Sequence, residues 1–366
     1  MAEIHPLNAI CPYFTMFPLS FPMGVLAPRA EPHDSVMDPF AGRGTTLMAA
    51  RILGLSAIGI DSSPVAIAIC QAKLVSPSPR VISRTARTIL DEIVSPRHVP
   101  VGRFWRTAYH PMVLHTLCRL REGLLRDCRS PARIALRAII LGALHGPLNK
   151  VAPSYFSNQS FRSFAPKPRY AVKYWERCGL TPPNVDLLAI IDARSARYYS
   201  NPLPSRGLAI LGDSRTARPF RRAKIPRVKW IITSPPYYGM RTYIPDQWLR
   251  IWFLGGPATV DYSSEAQLQH SSPDQFAHDL RQVWDLVATV ADSSARLVIR
   301  FGGISDRAAS PTAIMRHSLQ GTPWRLDTIC SAGSSSSGRR QAMHILSAPR
   351  PPTEEFDYWA SLRAEH

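Results

Sequence analysis

The stretch from Ser35 to Asp61 constrains the fold more than any other part of the chain. Ser35-Val36-Met37 is a short apolar strand that runs into Asp38-Pro39-Phe40-Ala41-Gly42-Arg43-Gly44-Thr45-Thr46. Residues 47–53 then have helical periodicity and stop at Gly54. A second strand, Ser56-Ala57-Ile58-Gly59-Ile60, ends on Asp61, and Pro64 opens another helix where its missing N–H costs nothing. This is a β-α-β unit. The same rhythm resumes after residue 205, with strands at 207–211, 229–232 and 296–301 and an amphipathic helix at 276–290. Residues 324–329 and 341–346 read as a closing antiparallel pair, joined through the Ser/Gly-rich stretch 331–338 as a hairpin loop. Strands alternating with helices predict an α/β fold with a mostly parallel sheet, covered on both faces, and an antiparallel last strand.

Between these halves the character changes. Residues 78–205 read as proline-punctuated helices: 112–126 carries an i, i+3, i+4 apolar stripe, and Ser130-Pro131 caps the helix that follows. The chain is therefore expected to divide into a catalytic domain, residues 1–77 and 206–366, and an inserted helical subdomain, residues 78–205. Within 151–175 the aromatic residues Tyr155, Phe156, Phe161, Phe164, Tyr170, Tyr174 and Trp175 alternate with polar and basic ones. That composition suits either stacking on bases or cementing the helical block.

Ligands of open α/β sheets sit beyond the carboxyl ends of strands, and the polar motifs fall at such ends. Gly42 and Gly44 permit positive φ and close approach of a ligand to the backbone. Thr45 and Thr46 offer hydroxyls and N–H groups at a helix N-terminus, suited to a carboxylate or phosphate. Asp61, 23 residues after Asp38, stands where a carboxylate accepts from ribose hydroxyls. No lysine enters the turn, which disfavours an NTP phosphate loop, and Leu47 takes the place of the third glycine of a dinucleotide fingerprint, which disfavours NAD.

Taken together, these residues resemble the amino-methyltransferases of DNA, which use S-adenosylmethionine to methylate the exocyclic nitrogen of cytosine (N4) or adenine (N6). Asp38 to Thr46 is similar to the family's D-P-F-x-G-x-G-T-T cofactor loop, and Gly59-Ile60-Asp61-Ser62-Ser63-Pro64 to its ribose motif. Thr233-Ser234-Pro235-Pro236-Tyr237 is similar to its catalytic [DNS]-P-P-[YF] tetrapeptide, with the threonine common in cytosine-N4 members, and Tyr13 to Pro18 to its aromatic-proline motif. The resemblance covers about residues 11–75 and 205–350 and implies a Rossmann-like methyltransferase sheet. It places the methionine part of the cofactor on Gly42, Gly44, Thr45 and Thr46, with Asp38 near its amino group and Phe40 in the same motif. It places the ribose on Asp61 beside Ser62, Phe17 near the adenine or methionine side, and Asp213 or Ser214 by the adenine edge. The motif order implies that target recognition belongs to the block between the cofactor and catalytic halves.

The tetrapeptide also answers to chemistry. An exocyclic amine is a poor nucleophile because its lone pair is delocalised into the ring. Transfer requires it held about 3 Å from an electrophilic methyl while acceptors draw its protons out of the ring plane. Ser234 and the Pro235 carbonyl supply two acceptors, Pro235 and Pro236 fix the backbone, and Tyr237 offers a face on which a flipped base stacks. Serine in place of aspartate favours cytosine N4 by resemblance. Adenine N6, or an amine in structured RNA, is the alternative, and a catalytically silent DNA-binding protein is the non-enzymatic one. No cysteine is placed for C5 methylation.

Charge agrees with a polyanionic partner: 44 Lys+Arg against 26 Asp+Glu leaves +18. Arg215, Arg218, Arg221, Arg222, Lys224, Arg227 and Lys229 crowd one stretch before the tetrapeptide and read as a phosphate clamp. After it, Arg241, Tyr243, Gln247, Trp248 and Arg250 read as lining a DNA cleft, with Trp252 and Phe253 as core. The expected partner is double-stranded DNA, with a cognate restriction endonuclease as a further candidate. The six cysteines lack metal-ligand spacing, so no metal is expected. Neither a signal peptide nor a membrane span is read, which places the protein in the cytoplasm.

Overall fold

The strand Ser35–Asp38, β1, is buried at every residue and is an interior strand of the sheet. The computed structural model describes residues 5–13, 17–146, 154–159, 168–204, 206–222, 227–238, 244–260, 272–303, 309–334 and 354–363. Along the chain the strands are β1, β2 (Ser56–Asp61), β3 (Gly207–Leu211), β4 (Val228–Thr233), β5 (Ala291–Gly302), β6 (Trp324–Ser334) and β7 (Glu354–Leu362). The helices are α1 (Ser20–Leu26), α2 (Thr45–Ile52), α3 (Pro64–Lys73), α4 (Pro79–Glu92), α5 (Arg103–Ala108), α6 (Pro111–Arg126) and α7 (Pro131–Ala143). They continue with α8 (Pro168–Arg177), α9 (Leu187–Tyr199), α10 (Ala217–Arg222), α11 (Ile244–Phe253), α12 (Pro273–Val290) and α13 (Pro311–Leu319).

Two units divide the chain. One comprises Thr15–Cys70, Pro204–Thr242 and Glu265–His366, and the other Met1–Phe14, Gln71–Leu203 and Tyr243–Ser264. The helical unit is thus larger than the 78–205 block, because the N-terminal residues and α11 also belong to it.

In the sheet unit the strand order is β3-β2-β1-β4-β5-β7-β6. Strands β1 to β5 pair in parallel, and β7 runs antiparallel between β5 and β6. The partner of β6 is Glu354–Leu362, and residues 341–346, read from the sequence as pairing with 324–329, lie outside those described. The signal was present as period-two alternation. Tyr358 and Ala360 enter the core, with Phe356 and Leu362 packed against it. On this core lies α12, whose Phe276, Leu280, Val283, Trp284 and Val287 are fully buried at helical spacing. Trp284 donates from its indole to Ser318 of α13 over 3.0 Å, and its carbonyl accepts from Trp324 over 2.9 Å.

Local signals explain the ends of the elements. Helix α2 starts at Gly44, whose φ of 73° is left-handed, and Gly54 at φ 74° follows its C-cap. Among the described residues five helices begin on a Ser-Pro pair: Ser63, Ser78, Ser130, Ser272 and Ser310 each accept from the backbone N–H three residues on, with proline in the first turn. Each such cap contributes about 1 kcal/mol. The helical unit has its own interior, in which Trp105, Tyr109, Trp175, Trp248 and Trp252 are buried.

Candidate active site

Strand β1 has β2 on one side and β4 on the other, and the chain leaves it in opposite directions there. The carboxyl ends at this switch point are where such sheets take ligands. Asp38 ends β1, Asp61 ends β2 and Thr233 ends β4. Asp38 is fully buried. Its Oδ1 accepts from the Phe40 N–H over 3.0 Å and from the Thr233 hydroxyl over 2.6 Å. Its Oδ2 is buried with no hydrogen-bond partner. Burial pushes the carboxyl up to about 6, against the hydrogen bonds from Thr233 and Phe40. A buried acceptor left unpaired is costly, and an ammonium group placed against Oδ2 removes both penalties.

The loop after β1 is held open by backbone geometry. Gly42 (φ 50°) and Gly44 (φ 73°) are left-handed. Gly42 donates its N–H to Asp61 Oδ2 over 2.8 Å, and Ser63 donates to Oδ1 over 2.8 Å. Asp61 therefore fastens the loop to β2 as well as facing solvent in part; burial raises its carboxyl against these two N–H groups. Ser62 is exposed. Thr45 and Thr46 are buried, and Thr46 donates its hydroxyl to the Ile232 carbonyl of β4 over 3.1 Å. That hydroxyl braces the start of α2 against β4, and backbone N–H groups of this turn can meet a carboxylate. The donor set fits the methionine end of S-adenosylmethionine: Asp38 Oδ2 for its ammonium and the start of α2 for its carboxylate.

The loop after β3 joins the same end of the sheet, although some 150 residues of chain intervene. Ser214 donates its hydroxyl to the Pro39 carbonyl over 2.6 Å, and the Gly212 N–H reaches the Asp61 carbonyl over 3.0 Å. Asp213 is gripped by the Arg215 guanidinium, at 2.7 Å to Oδ2, and Arg215 also reaches Asp279 of α12 over 2.8 Å. Burial acts to raise the Asp213 carboxyl, but the Arg215 hydrogen bonds outweigh it and hold it below the usual range. Arg215 is thus held by an internal ion pair with Asp213 and Asp279. Phe40 is half-buried and edge-on to Trp284, and Phe17 is edge-on to Phe21 of α1.

Beyond β4 come half-buried Ser234, buried Pro235, half-buried Pro236, and buried Tyr237 and Tyr238. Tyr237 donates its hydroxyl to Glu355 Oε1 of β7 over 2.9 Å. Its ring stands edge-on to Phe301 at 5.3 Å. Burial first, and then the Glu355 charge, push the phenol well above its ordinary range, so it is neutral. Tyr238 packs edge-on to Phe276 in the core. The sequence reading did not include Glu355.

Of the basic residues, Arg218 and Arg221 are exposed on α10. The Arg222 side chain, Lys224, Arg241 and Tyr243 lie outside what is described. Arg227 donates to the Ala291 carbonyl over 3.1 Å and Lys229 to Ser294, at the other end of the sheet from Ser234. Arg250 does not line a cleft: it is 3% exposed and donates to Gln247 over 2.9 Å and to the Leu141 carbonyl over 3.2 Å. Gln247 and Trp248 are buried with it in the helical unit, as are Trp252 and Phe253. In the aromatic stretch, Phe156, Tyr174 and Trp175 are interior residues of that unit, Tyr170 is exposed, and Phe161 and Phe164 lie outside the described residues. Among the described residues no helix is long and apolar enough to cross a membrane, and no His/Cys/Asp/Glu group is arranged to hold a metal ion.

Residues 5–72 match the model of a family described as DNA methylase. No curated protein sequence matches the chain. Among solved structures, the chain is similar to the rRNA methyltransferase aviRa from Streptomyces viridochromogenes, at 12% identity and a TM-score of 0.37 over 98% of this chain and 90% of that one. It is also similar to a SAM-dependent methyltransferase from Agrobacterium tumefaciens, at 12% identity and a TM-score of 0.34 over 94% of this chain and 65% of that one. The segment that carries the Asp38 loop and Asp61 is thus the segment that matches the DNA methylases.

Proposed function

We propose that the protein is an S-adenosylmethionine-dependent amino-methyltransferase that acts on DNA, with cytosine N4 as the target. The carrying observation is the 2.6 Å hydrogen bond between Thr233 and Asp38. It sets the orphan carboxylate oxygen that suits the cofactor's ammonium next to the residue that precedes Ser234.

When bound, S-adenosylmethionine supplies a sulfonium methyl group, a strong electrophile. The chain does the rest by placement. Asp38 Oδ2 and the turn of Gly42 and Gly44 fix the amino-acid end, and Asp61 bridges that turn to the ribose side. Ser234 and the Pro235 carbonyl would accept hydrogen bonds from the two amine N–H groups, drawing them out of the ring plane and localising the nitrogen lone pair. Tyr237 borders the base at its ring edge or face, and its anchored hydroxyl keeps it in place. The family description of the matched segment supports DNA as substrate, and serine in place of aspartate supports cytosine. The helical unit is proposed to read the target, and Arg218 and Arg221 to meet phosphates.

The test uses methyl-labelled S-adenosylmethionine and unmethylated genomic DNA, followed by digestion and identification of the labelled nucleoside. N4-methylcytosine is expected. N6-methyladenine changes the target base, label found in RNA alone changes the substrate, and binding of both ligands without transfer makes the chain a silent DNA-binding protein. Ser234→Ala is expected to abolish transfer and retain cofactor binding; normal turnover in that variant sinks the assignment.

A further inference from the structure

We infer that the outer face of α8 and α5 is a phosphate-contact surface by which the helical unit grips duplex DNA. This rests on the reading of DNA as the substrate.

Helix α8 has two unlike sides. Ala171, Val172, Tyr174 and Trp175 are buried, and Trp175 meets Phe104 of α5 at 5.9 Å between ring centroids. The opposite side exposes Arg169, Lys173 and Arg177. These three stand at i, i+4 and i+8, so they form one row about 12 Å long. Tyr170, 50% exposed, stands beside the first of them. The neighbouring α5 adds Arg103 and Arg106, both exposed and three residues apart on one side of that helix.

The row works against its own helix. Like charges four residues apart repel, and Arg169 sits in the first turn, where the helix dipole disfavours a cation and no acidic residue offsets it. Glu176, the carboxylate that α8 does carry, is engaged elsewhere: Arg103 holds it by two parallel bonds of 2.7 and 2.6 Å. Among the described residues none of Arg169, Lys173 and Arg177 enters an ion pair. Other arginines of the helical unit are met by acids: Arg126 pairs with Glu122, and Arg129 and Arg133 with Asp127. Helix α4 exposes Arg80, Arg84 and Arg87, but Arg87 pairs with Asp192, and exposed Asp91 and Glu92 follow on the same helix. The α8 row is therefore matched by anions supplied from outside. Duplex DNA carries one charge per about 1.7 Å of its axis, so a row of this length meets several phosphates at once. The hydroxyl of Tyr170 suits the same backbone, and contacts of this kind orient a duplex without reading its sequence.

The experiment titrates wild type, Arg169→Ala/Lys173→Ala/Arg177→Ala and a control triple, Arg80→Ala/Arg84→Ala/Arg87→Ala, into a fluorescein-labelled DNA duplex of mixed sequence at several salt concentrations. A double-stranded RNA of the same length is the second probe, and unfolding curves establish that each protein is folded. The α8 triple is expected to lower duplex affinity by about tenfold or more and the slope of log affinity against log salt by about 2–3, with the Kd for S-adenosylmethionine unchanged. The control triple removes the same charge and is expected to change the slope by less than about 1. Lys173→Glu repeats the test with a single exposed change and is expected to weaken duplex binding at low salt. An unaltered slope in the α8 triple, equal losses in both triples, or wild-type affinity in Lys173→Glu overturns the proposal, and methyl transfer to DNA by the wild type is untouched by that result. A wild type that binds the RNA and not the DNA overturns the DNA reading itself, and the α8 face falls with it as a DNA contact.

Discussion

Thr233 and Asp38 lie 195 residues apart, and a 2.6 Å hydrogen bond joins their side chains at the carboxyl ends of adjacent strands. With the Thr46–Ile232 bond, it links the proposed cofactor loop to the proposed catalytic tetrapeptide. Thr233→Val keeps the shape of the side chain and deletes the donor. It is expected to cost about 1–3 kcal/mol of stability, because Asp38 is buried and loses its shortest partner. Denaturant unfolding of the two proteins measures this, and an unchanged midpoint and slope would show the bond to be inert.

Asp38 also sets a pH dependence whose sign is fixed. Its folded value of about 6 lies above the ordinary 3.8, so without cofactor the folded chain holds this proton more tightly than the unfolded one. Its contribution to stability is present below about pH 4 and lost as pH rises through 6. An ammonium at Oδ2 favours the ionised form and reverses the preference. Affinity for S-adenosylmethionine is therefore expected to rise by up to about tenfold per pH unit below 6 and to level off above it. Calorimetry between pH 5 and 7 tests this against Asp38→Asn, which should bind more weakly and without the pH dependence. A flat wild-type curve contradicts the assignment of Oδ2.

Gly59 supplies a purely steric test. A Cβ there would stand 2.9 Å from Ala41 Cβ and 2.9 Å from Leu47 Cδ2, so β2 can approach the loop and α2 only as glycine. Gly59→Ala must push the Gly42 to Thr46 turn away from Asp61. The expected result is a loss of about 1–3 kcal/mol and a weaker cofactor Kd, with Gly54→Ala, whose Cβ meets nothing within 4 Å, as a control for backbone strain alone. Thermal unfolding with and without S-adenosylmethionine reads both effects. Equal ligand-induced shifts in wild type and Gly59→Ala would refute the steric role.

The half of the site built from contiguous residues was legible in the sequence because strand, turn, helix and acid follow one another within one stretch. Three further Ser-Pro helix starts, at 78, 272 and 310, were readable by the rule that identified Ser130-Pro131. What escaped depended on pairing across long distances. Glu355 meets Tyr237 across 118 positions, and only the β5–β7 register brings them together. The position of β7 was hidden because the apolar run 341–346 stands nearer to the Ser/Gly-rich stretch and reads as the last strand. The surplus of arginine was read as surface, yet Arg215 and Arg250 are satisfied internally by groups that composition cannot display.

That contrast yields the last prediction, which separates basic residues by their surroundings. Arg250 is buried on carbonyl and amide partners, so Arg250→Ala leaves Gln247 and the Leu141 carbonyl short of a donor and opens space in the helical unit. It is expected to lower stability by about 2–4 kcal/mol and to leave the salt dependence of DNA binding unchanged in whatever protein folds. Arg218 and Arg221 are exposed on α10, so the double substitution Arg218→Ala/Arg221→Ala should leave thermal unfolding where it was. If these side chains neutralise phosphates, the slope of log affinity against log salt falls by up to about 2. DNA titrations at several salt concentrations, paired with unfolding curves, distinguish the two classes. A double variant with an unaltered salt slope would remove α10 from the DNA-binding surface, and an Arg250→Ala protein of full stability would return that residue to it.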